Sequence, residues 1–348
     1  MTYLAGKVVV DVDAGAPNNG RGEDNVGVYK KIVIRRPTGS EVYPYVSAQA
    51  FRRWLRDSLP AGEPRSPVTR TGSGKKQQAY TAGRPDQFLD DDIFGYMVAV
   101  KKNEGGTCQR DTVLATGTLV SVTAQQVTRD FGTMTRGFEA GADPVIHEHE
   151  LYTADLAGDV LLDLPRVGTF ETNGHGLRIS LTPTATEQAL QAGAQPVTFR
   201  GVDAVRLPIT ERRRRVAVLL RTLAAVRGGA KRALHYGDRS PALVLLAPLK
   251  GGVNPFTRVL AADGGRTTFD VDVFREEAAA WADEIDGTIR LGWAPGFLRE
   301  QRDKARTALH DLIEGGQLIL DHPRVVLNHL ADAVEAGTHD MWFEEPGT

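Results

Sequence analysis

Alternation of apolar and polar positions marks the first strands of the chain. Residues 7–13 read KVVVDVD, a Val-rich alternating run that predicts a strand. A loop rich in Gly, Asn and Pro follows over residues 15–25. Residues 30–36 and 41–46 alternate again around a Pro-Thr-Gly-Ser turn, which predicts a β-hairpin.

Two helices are predicted with the apolar spacing of a buried stripe. Ser47 is a good N-cap for the first, because its hydroxyl can accept a hydrogen bond from an amide of the first turn, and Pro60 ends it. Thr210 begins the second, and Gly228-Gly229 stops it. Its apolar stripe consists of Val216, Leu219, Leu220, Leu223 and Val226. Further helices are predicted over residues 275–286, 297–314 and 324–336.

The order of the predicted elements indicates an α+β fold. Further strands are predicted over residues 116–125, 150–163, 176–181, 197–200 and 242–249. The core order is strand, helix, strand, strand, helix, strand, which is the ferredoxin-like or RRM-like order. Residues 61–87 hold few large apolar side chains and are expected to be mobile or partner-dependent, and residues 126–149 are expected to be irregular. The order alone does not define a function, because this fold serves many.

Composition indicates the cellular compartment in which the chain is expected. Its one cysteine, Cys108, can form no internal disulfide and no cysteine-rich zinc site, which fits a reducing cytoplasm. The N-terminal residues lack the pattern of a signal peptide, and no apolar run approaches the length of a membrane span. We therefore expect a cytoplasmic protein without a membrane partner.

Charge is divided unevenly along the chain. Residues 271–348 hold 7 Lys and Arg against 16 Asp and Glu, a net charge of −9. Residues 1–270 hold 35 against 28, a net charge of +7. This asymmetry is consistent with a polyanionic partner for one part of the molecule. The alternative is an acidic tail that only keeps the protein soluble.

The start of the first helix is a candidate phosphate-binding site. A helix N-terminus offers free amides and a positive dipole end. Ser47 and Gln49 add hydrogen-bond donors, and Arg52, Arg53 and Arg56 add charge along the exposed side. The alternative is a solvated basic helix face.

The glycine pair after the second helix is another candidate. Gly228 and Gly229 would let backbone amides approach a ligand closely, and Lys231 and Arg232 follow them. The Gly-Lys-Ser/Thr sequence of nucleotide hydrolases is missing. The alternative is a helix C-cap followed by a basic turn.

The early loop and the strand after it supply the third candidate set. Asn18 and Asn19 could donate to phosphate or ribose, and Arg21, Lys30 and Lys31 would add attraction that does not depend on base sequence. The alternative is an ordinary turn.

No motif in the sequence indicates catalysis, a metal or a cofactor. His147 and His149 face the same side of an extended chain, but no third ligand is evident, so surface histidines are expected. Residues 212–215, four arginines, would either contact phosphate or lie solvated at a helix start. The sequence has no nucleophile elbow, no zinc spacing and no dinucleotide fingerprint.

Together these motifs resemble the CRISPR Cascade backbone subunit (Cas-seven family) of the DevR/Cst type, as in type I-B systems. Their order and spacing cover roughly residues 5–250, and the Ser-x-Gln-x-x-Arg helix start is the most specific part. The match rests on Asn18-Asn19-Gly20, on residues 44–56, on Asp92-Ile93-Phe94-Gly95-Tyr96-Met97 and on Gly228-Gly229-Ala230-Lys231.

The resemblance implies a right-hand architecture. It places an RRM-like palm at residues 1–60, 109–127, 150–165 and 205–250, fingers at 61–108, a thumb at 128–149, a palm insertion at 166–204 and a mainly helical region at 251–348. Several copies would stack along one guide RNA beside other Cascade subunits, and the guide would pair with target DNA. Phe131 and Met134 of the thumb would wedge or cover an unstacked base.

Two rival functions stay open at this stage. The first is a ferredoxin-like RNA endonuclease that trims the guide, with His147 or His235 in its site. The second is a general RNA chaperone or an RNA-binding regulator that does not polymerise. Type III relatives cut target RNA with a loop aspartate, and Asp11, Asp13 and Asp24 lie near that region, but a structural role is expected for them.

Overall fold

A computed structural model of the chain describes residues 1–22, 26–74, 77–99, 107–139, 141–173 and 179–345. Asp24 lies outside these residues. The α+β fold class predicted from the sequence is confirmed, with helices packed on a large mixed sheet. Within the described ranges, no helix is both long enough and apolar enough to cross a bilayer.

Strands and helices are distributed over all the described parts of the chain. The strands are β1 (Tyr3–Gly15), β2 (Val26–Gly27), β3 (Lys31–Arg36), β4 (Gly39–Val46), β5 (Thr69–Thr71), β6 (Gln78–Tyr80), β7 (Tyr96–Ala99), β8 (Thr107–Arg110), β9 (Leu114–Thr116), β10 (Leu119–Ser121), β11 (Thr128–Met134), β12 (Val145–Asp163), β13 (Thr169–Glu171), β14 (Gln195–Phe199), β15 (Val202–Arg206), β16 (Leu243–Leu249), β17 (Leu260–Asp263), β18 (Arg266–Phe269), β19 (Ile289–Trp293) and β20 (Leu318–Asp321). The helices are α1 (Ala48–Ser58), α2 (Leu89–Phe94), α3 (Pro183–Gln191), α4 (Ile209–Ala224), α5 (Val271–Ala280), α6 (Arg299–Ala308), α7 (His310–Glu314) and α8 (Pro323–Glu335), and short 3₁₀ segments lie at Pro255–Arg258 and Asp340–Phe343.

The central sheet contains the ferredoxin-like strand order. Its path runs β20-β19-β16-β1-β12-β10-β4-β3. Strand β1 pairs antiparallel with β12 on one side and with β16 on the other, and β12 pairs antiparallel with β10. The order β16-β1-β12-β10 places the fourth, first, third and second core strands side by side, as a strand-helix-strand-strand-helix-strand core requires.

One face of the sheet packs on helices α1 and α4. Successive side chains of a strand point to opposite faces, so Leu4, Val8, Val10 and Val12 share one face and are buried there. Helix α1 buries one face made of Phe51, Trp54, Leu55 and Ser58, and helix α4 buries Val216, Leu219, Leu220 and Leu223 of its predicted stripe. This layer forms the larger of the two main apolar cores among the described residues.

The C-terminal region covers the opposite face. Ala5 and Val9 of β1 are fully buried beneath it, against a layer that includes Phe256, Phe274 and Trp293. The region expected to be mainly helical also contributes strands β17–β20, and β19 and β20 extend the central sheet beyond β16. Strands β19 and β20 were not predicted because they are short runs between helical segments.

Residues 61–108 form a segment whose two ends are held together by hydrogen bonds to helix α2. It contains the β5–β6 and β7–β8 hairpins and helix α2. The Ser66 hydroxyl donates to Asp91 at 2.7 Å, and the Arg84 amide donates to the same carboxylate at 3.0 Å. Both ends of residues 67–83 are therefore tied to helix α2, whereas the predicted mobility between them stays a prediction.

Residues 128–149 form a β-hairpin and not the irregular segment expected from the sequence. Strand β11 pairs with the first part of β12, from Thr128 opposite Leu151 to Met134 opposite Val145. Strand β12 is 19 residues long, so its outer part extends beyond the core and provides a ready backbone partner for β11. The expectation of irregularity was wrong because such a ladder is stabilised by backbone hydrogen bonds and not by buried side chains.

Candidate nucleic-acid interface

Three of the sequence motifs meet at one end of strand β1. We call residues 16–22, 26–31, 45–49 and 227–232 the basic loop cluster. The Ala230 amide donates to the Pro17 carbonyl at 2.8 Å, which joins the glycine loop to the loop after β1. The Asn18 side-chain amide donates to the Tyr45 carbonyl at 3.2 Å, two residues before the N-cap of helix α1. Motifs about 200 positions apart in sequence therefore share one surface.

The loop after β1 is held by its own backbone. The Lys30 amide donates to the Asn18 carbonyl, and the Gly20 amide donates to the Val28 carbonyl, each at 2.9 Å. The side chain of Asn18 is only 8% exposed, so this residue positions the loop and has little surface for a ligand. Asn19 and Arg21 are exposed on the same loop and can contact one.

The adjacent lysines Lys30 and Lys31 have different surroundings. Lys31 donates to both carboxylate oxygens of Glu150 at 2.8 Å, and that carboxylate is buried. Lys30 is half-buried and forms no ion pair with any carboxylate in the part of the chain that the structure describes. Lys30 can therefore offer its charge to a polyanion, while Lys31 neutralises Glu150 inside the protein.

The N-terminus of helix α1 has the cap that the sequence predicted. The Ser47 hydroxyl accepts from the Ala50 amide at 3.4 Å. A single capping side chain leaves other first-turn amides free for water or an anion. Gln49 lies exposed in that turn and can donate beside them.

The three arginines of helix α1 do not form one free basic face. Arg56 lies 3.5 Å from the Asp90 carboxylate, and its guanidinium lies 5.2 Å from the centre of the Phe94 ring. Arg53 pairs with Asp57 on the exposed surface at 2.7 Å. Their charges are therefore largely committed within the protein.

Arg52 is the exception among these arginines. It donates to the Thr116 hydroxyl at 3.0 Å and has no carboxylate partner among the described residues. Burial and the neighbouring Arg56 guanidinium lower the pKa of Arg52. A phosphate at this position would supply the counter-charge that its surroundings lack.

Packing explains why two glycines stand in the loop after helix α4. A Cβ on Gly228 would lie 2.6 Å from the Trp54 ring of helix α1, so no side chain fits there. Gly229 has φ +94°, which favours glycine, and a Cβ on it would lie 3.0 Å from Pro17. The geometry is therefore compatible with a ligand-binding glycine loop and also with a simple helix C-cap. Both need glycine, because both bring the backbone close to another group.

The two cations of the glycine loop differ in exposure. Lys231 has φ +54°, and its ammonium lies 3.4 Å from His149 Nδ1 and 3.5 Å from the Gly27 carbonyl. Burial lowers the pKa of Lys231, and burial together with the Lys231 charge lowers the pKa of His149. Arg232 is exposed and has no ion-pair partner within the described ranges.

Two arginines at the start of helix α4 bind partners inside the protein. Arg215 is 1% exposed and pairs with the buried Asp92 at 2.7 Å. Arg212 is equally buried, donates to the carbonyls of Pro165, Val167 and Phe343, and has its pKa lowered by burial to about 10. Both interpretations of this tract, a phosphate contact and a solvated helix start, were wrong for these two residues.

The β11–β12 hairpin carries exposed apolar side chains on both faces. Phe131 is 64% exposed and shares a face with Ile146, because it lies opposite Glu148 in the ladder. Met134 is 51% exposed and shares the other face with Val145. The register also places His147 and His149 on one face, as predicted, and the described residues contain no cluster of metal-ligating side chains.

The carboxylates of Asp11 and Asp13 lie exposed near the end of β1. Their side chains point to the sheet face that carries Val9, opposite the face of Val8, Val10 and Val12. Burial, with the charges of Asp155 and Asp13, raises the pKa of Asp11. Asp11 lies opposite Asp155 in the β1–β12 ladder.

Comparison with known proteins gives similarity in structure and none in sequence. No protein-family model matches the chain, and no curated protein matches it. A chain of a solved "CRISPR RNA-guided surveillance complex, pre-nicking" is similar with a TM-score of 0.58 and 12% identity, covering 96% of this chain and 99% of that chain. A chain of a second "CRISPR RNA-guided surveillance complex" is similar with a TM-score of 0.53 and 13% identity, covering 95% and 99%. At these identities the likeness establishes a shared fold over nearly the whole chain.

Proposed function

We propose that this chain is a guide-RNA-binding backbone subunit of a CRISPR RNA-guided surveillance complex. The observation that carries the proposal is the basic loop cluster, in which separate motifs join at one end of the ferredoxin-like sheet. Arg21, Lys30 and Arg232 lie there without an ion-pair partner among the described residues. Cations that are not neutralised internally provide attraction for a nucleic-acid backbone of any sequence.

The whole-chain likeness to subunits of such complexes supports the same proposal. The similarity covers 99% of each of those chains and 95% or more of this chain, so it is not confined to one segment. We assign the chain to the type I-B subtype from the order and spacing of the sequence motifs. In this role several copies stack along one guide beside other subunits of the complex, and the exposed bases pair with target DNA.

We propose that the chain does not cleave RNA itself. His147 lies exposed on the β11–β12 hairpin, whereas Nε2 of His235 is buried without a hydrogen-bond partner in the described structure. Neither histidine stands beside a carboxylate that would orient it as a general base, again among the residues that the structure describes. Within the described residues, neither histidine named for the nuclease alternative therefore has a partner that supports it.

Isolation of bound nucleic acid tests the proposal. We expect the purified protein to carry RNA, and nuclease treatment of the complex to leave protected fragments whose lengths increase in regular steps. Sequencing of those fragments is expected to return repeat-spacer RNA. Protein that carries no RNA, or that converts repeat RNA into discrete products when alone, would contradict the backbone role. The second result would favour the endonuclease, whereas RNA bound without regular spacing would favour a regulator that does not polymerise.

A further inference from the structure

Tyr236 has the highest relative exposure of the large apolar or aromatic side chains in the described part of the chain. It is 85% exposed, compared with 78% for Met341 and 64% for Phe131. Single exposed apolar side chains are common on protein surfaces, so exposure alone defines no site. The surroundings of Tyr236 give the exposure its meaning.

The loop that carries Tyr236 is closed on its N-terminal side by a backbone turn and is followed by a buried arginine. On its N-terminal side, the amides of Leu234 and His235 donate to the Lys231 carbonyl at 3.0 and 2.8 Å. On its C-terminal side, Arg239 is only 3% exposed and donates to the Asp238 carbonyl at 2.8 Å. Tyr236 therefore projects from a constrained turn, which reduces the entropy that a ligand contact would have to overcome.

The loop segment that leads up to Tyr236 carries only positive charge. Residues 227–237 contain Arg227, Lys231 and Arg232 but no Asp or Glu. The first acidic residue beyond them is Asp238, whose carboxylate accepts from the Ser240 amide at 2.9 Å and from its hydroxyl at 2.6 Å. The cations of this loop are therefore not matched by carboxylates of the same loop.

The fold closes the usual route by which such a sheet would hold bases. RRM domains stack RNA bases on aromatic side chains of the open sheet face. Here Ala5 and Val9 occupy that face of β1, and both are fully buried under the C-terminal region. Base contacts must come from side chains outside this part of the sheet.

We propose that Tyr236 stacks on a base of single-stranded RNA whose phosphates are bound by the cations of the same loop. Aromatic side chains beside a cationic groove are the combination by which proteins hold single strands without reading their sequence. The inference rests on the proposed function and adds to it a base-contacting residue on the loop after helix α4. A protein partner at this position would instead have to offer carboxylates to Arg227 and Arg232, which form no ion pair within the described residues.

Binding to base-containing and abasic RNA tests the inference. The probes are a uridine oligonucleotide and an abasic oligonucleotide with the same number of phosphates. We expect Tyr236→Ala to weaken uridine binding by about fivefold to a hundredfold, the range for loss of one stacking contact. Tyr236→Phe is expected to bind like the wild type, and Met341→Ala, at another highly exposed position, serves as the matched control. All variants are expected to bind the abasic probe equally and to share one salt dependence, because no cation is removed.

The outcomes separate this inference from the function on which it rests. If the wild-type protein binds neither probe, the proposed function fails. If the wild type binds uridine RNA and Tyr236→Ala binds it equally well, the inference fails while the proposed function stands. Equal weakening on both probes would assign Tyr236 to the shape of the loop, and loss of self-association alone would assign it to a protein contact. Either result overturns the stacking role.

Discussion

Lys31 and Glu150 form a pair that joins the edge strand β3 to the central strand β12. The ammonium donates to both carboxylate oxygens at 2.8 Å, and the Glu150 side chain is only 3% exposed. The Tyr29 amide also donates to this carboxylate, at 3.4 Å. Lys30, the preceding residue, has no such partner among the described residues. Lys31 therefore neutralises a buried carboxylate, whereas the charge of Lys30 stays available for a polyanion.

Substitution of the two lysines should therefore affect different measurements. Lys30→Ala is expected to flatten the dependence of the RNA binding constant on salt by about 0.7 per lost phosphate contact, with little change in stability. Lys31→Met leaves a buried carboxylate unpaired, and we expect a loss of about 1–3 kcal/mol in the free energy of unfolding, reduced because Lys31 is itself partly exposed. Salt titrations of RNA binding and urea unfolding measure the two effects. If Lys31→Met flattened the salt dependence of RNA binding and Lys30→Ala lowered the stability, Lys31 and not Lys30 would be the residue that contacts RNA.

The arginines of helix α1 divide in a similar way. Arg52→Ala is expected to reduce the salt slope of RNA binding by about 0.7, because its guanidinium faces no carboxylate. Arg56→Ala is expected to lower stability instead, because Arg56 lies beside Asp90 and over the Phe94 ring. Arg53→Ala, which removes an exposed pair with Asp57, is the control for loss of charge on the same helix. An unchanged slope in a folded Arg52→Ala protein would contradict the assignment of Arg52.

The order of the core elements along the chain could be predicted from the sequence because their burial leaves a regular apolar pattern. In β1, alternate residues pack on helices α1 and α4, and the residues between them pack under the C-terminal region. The stripes of helices α1 and α4 could be read for the same reason, since each buries one face. Periodicity reports burial, so elements with a buried face are the ones it predicts.

Long-range ion pairs could not be predicted in this way. The arginines at the start of helix α4 look solvated in sequence, but the partner of Arg215 is Asp92, 123 positions earlier. The β11–β12 hairpin was missed for a related reason, because Phe131 and Met134 stay exposed and give no burial pattern. Sequence proposed the residues of the basic loop cluster, and the contacts between distant loops then separated the free cations from the committed ones.

The buried pair between Arg215 and Asp92 is expected to be important for stability. Arg215→Met removes one partner of a pair in which both side chains are almost fully buried, and we expect a loss of about 3–5 kcal/mol in the free energy of unfolding. Arg213→Ala is the control within the same tract, because Arg213 pairs with the partly exposed Asp340. Urea unfolding of both variants measures the difference. Equal stability of the two variants would show that the buried pair of Arg215 contributes no more to the free energy of unfolding than the pair of Arg213.

Limited proteolysis tests the expected mobility of the segment between Ser66 and Arg84. Trypsin is expected to cut the RNA-free protein first within this segment, after Arg70, Lys75 or Lys76; of these, Arg70 lies exposed in β5. Arg65 provides an internal control, because its guanidinium donates to the carbonyls of Arg56 and Leu59 and should protect the neighbouring bond. Mass spectrometry of the first fragments identifies the sites. Resistance of the 67–81 stretch in the free protein would contradict the predicted mobility.

Assembly along RNA should depend on the exposed side chains of the β11–β12 hairpin. Exposed apolar groups on a projecting hairpin favour a partner, and in the proposed function that partner is the next subunit with its unstacked base. Phe131→Thr and Met134→Thr keep residues that suit a strand, so the backbone ladder with β12 should persist. We expect the double variant to bind short RNA as the wild type does, because the cations of the basic loop cluster remain.

On long RNA the same double variant is expected to lose about a hundredfold in affinity, because contacts between neighbours multiply binding along a strand. Analytical ultracentrifugation on RNA of increasing length measures the loss of ordered multimers. The single variants separate the two faces, since Phe131 lies with Ile146 and Met134 lies with Val145 on the opposite side. If one single variant reproduces the whole effect, only that face contacts the neighbour. Regular, cooperative coating of RNA by the double variant would mean that the hairpin folds back on its own subunit, and that the surface joining the copies lies elsewhere.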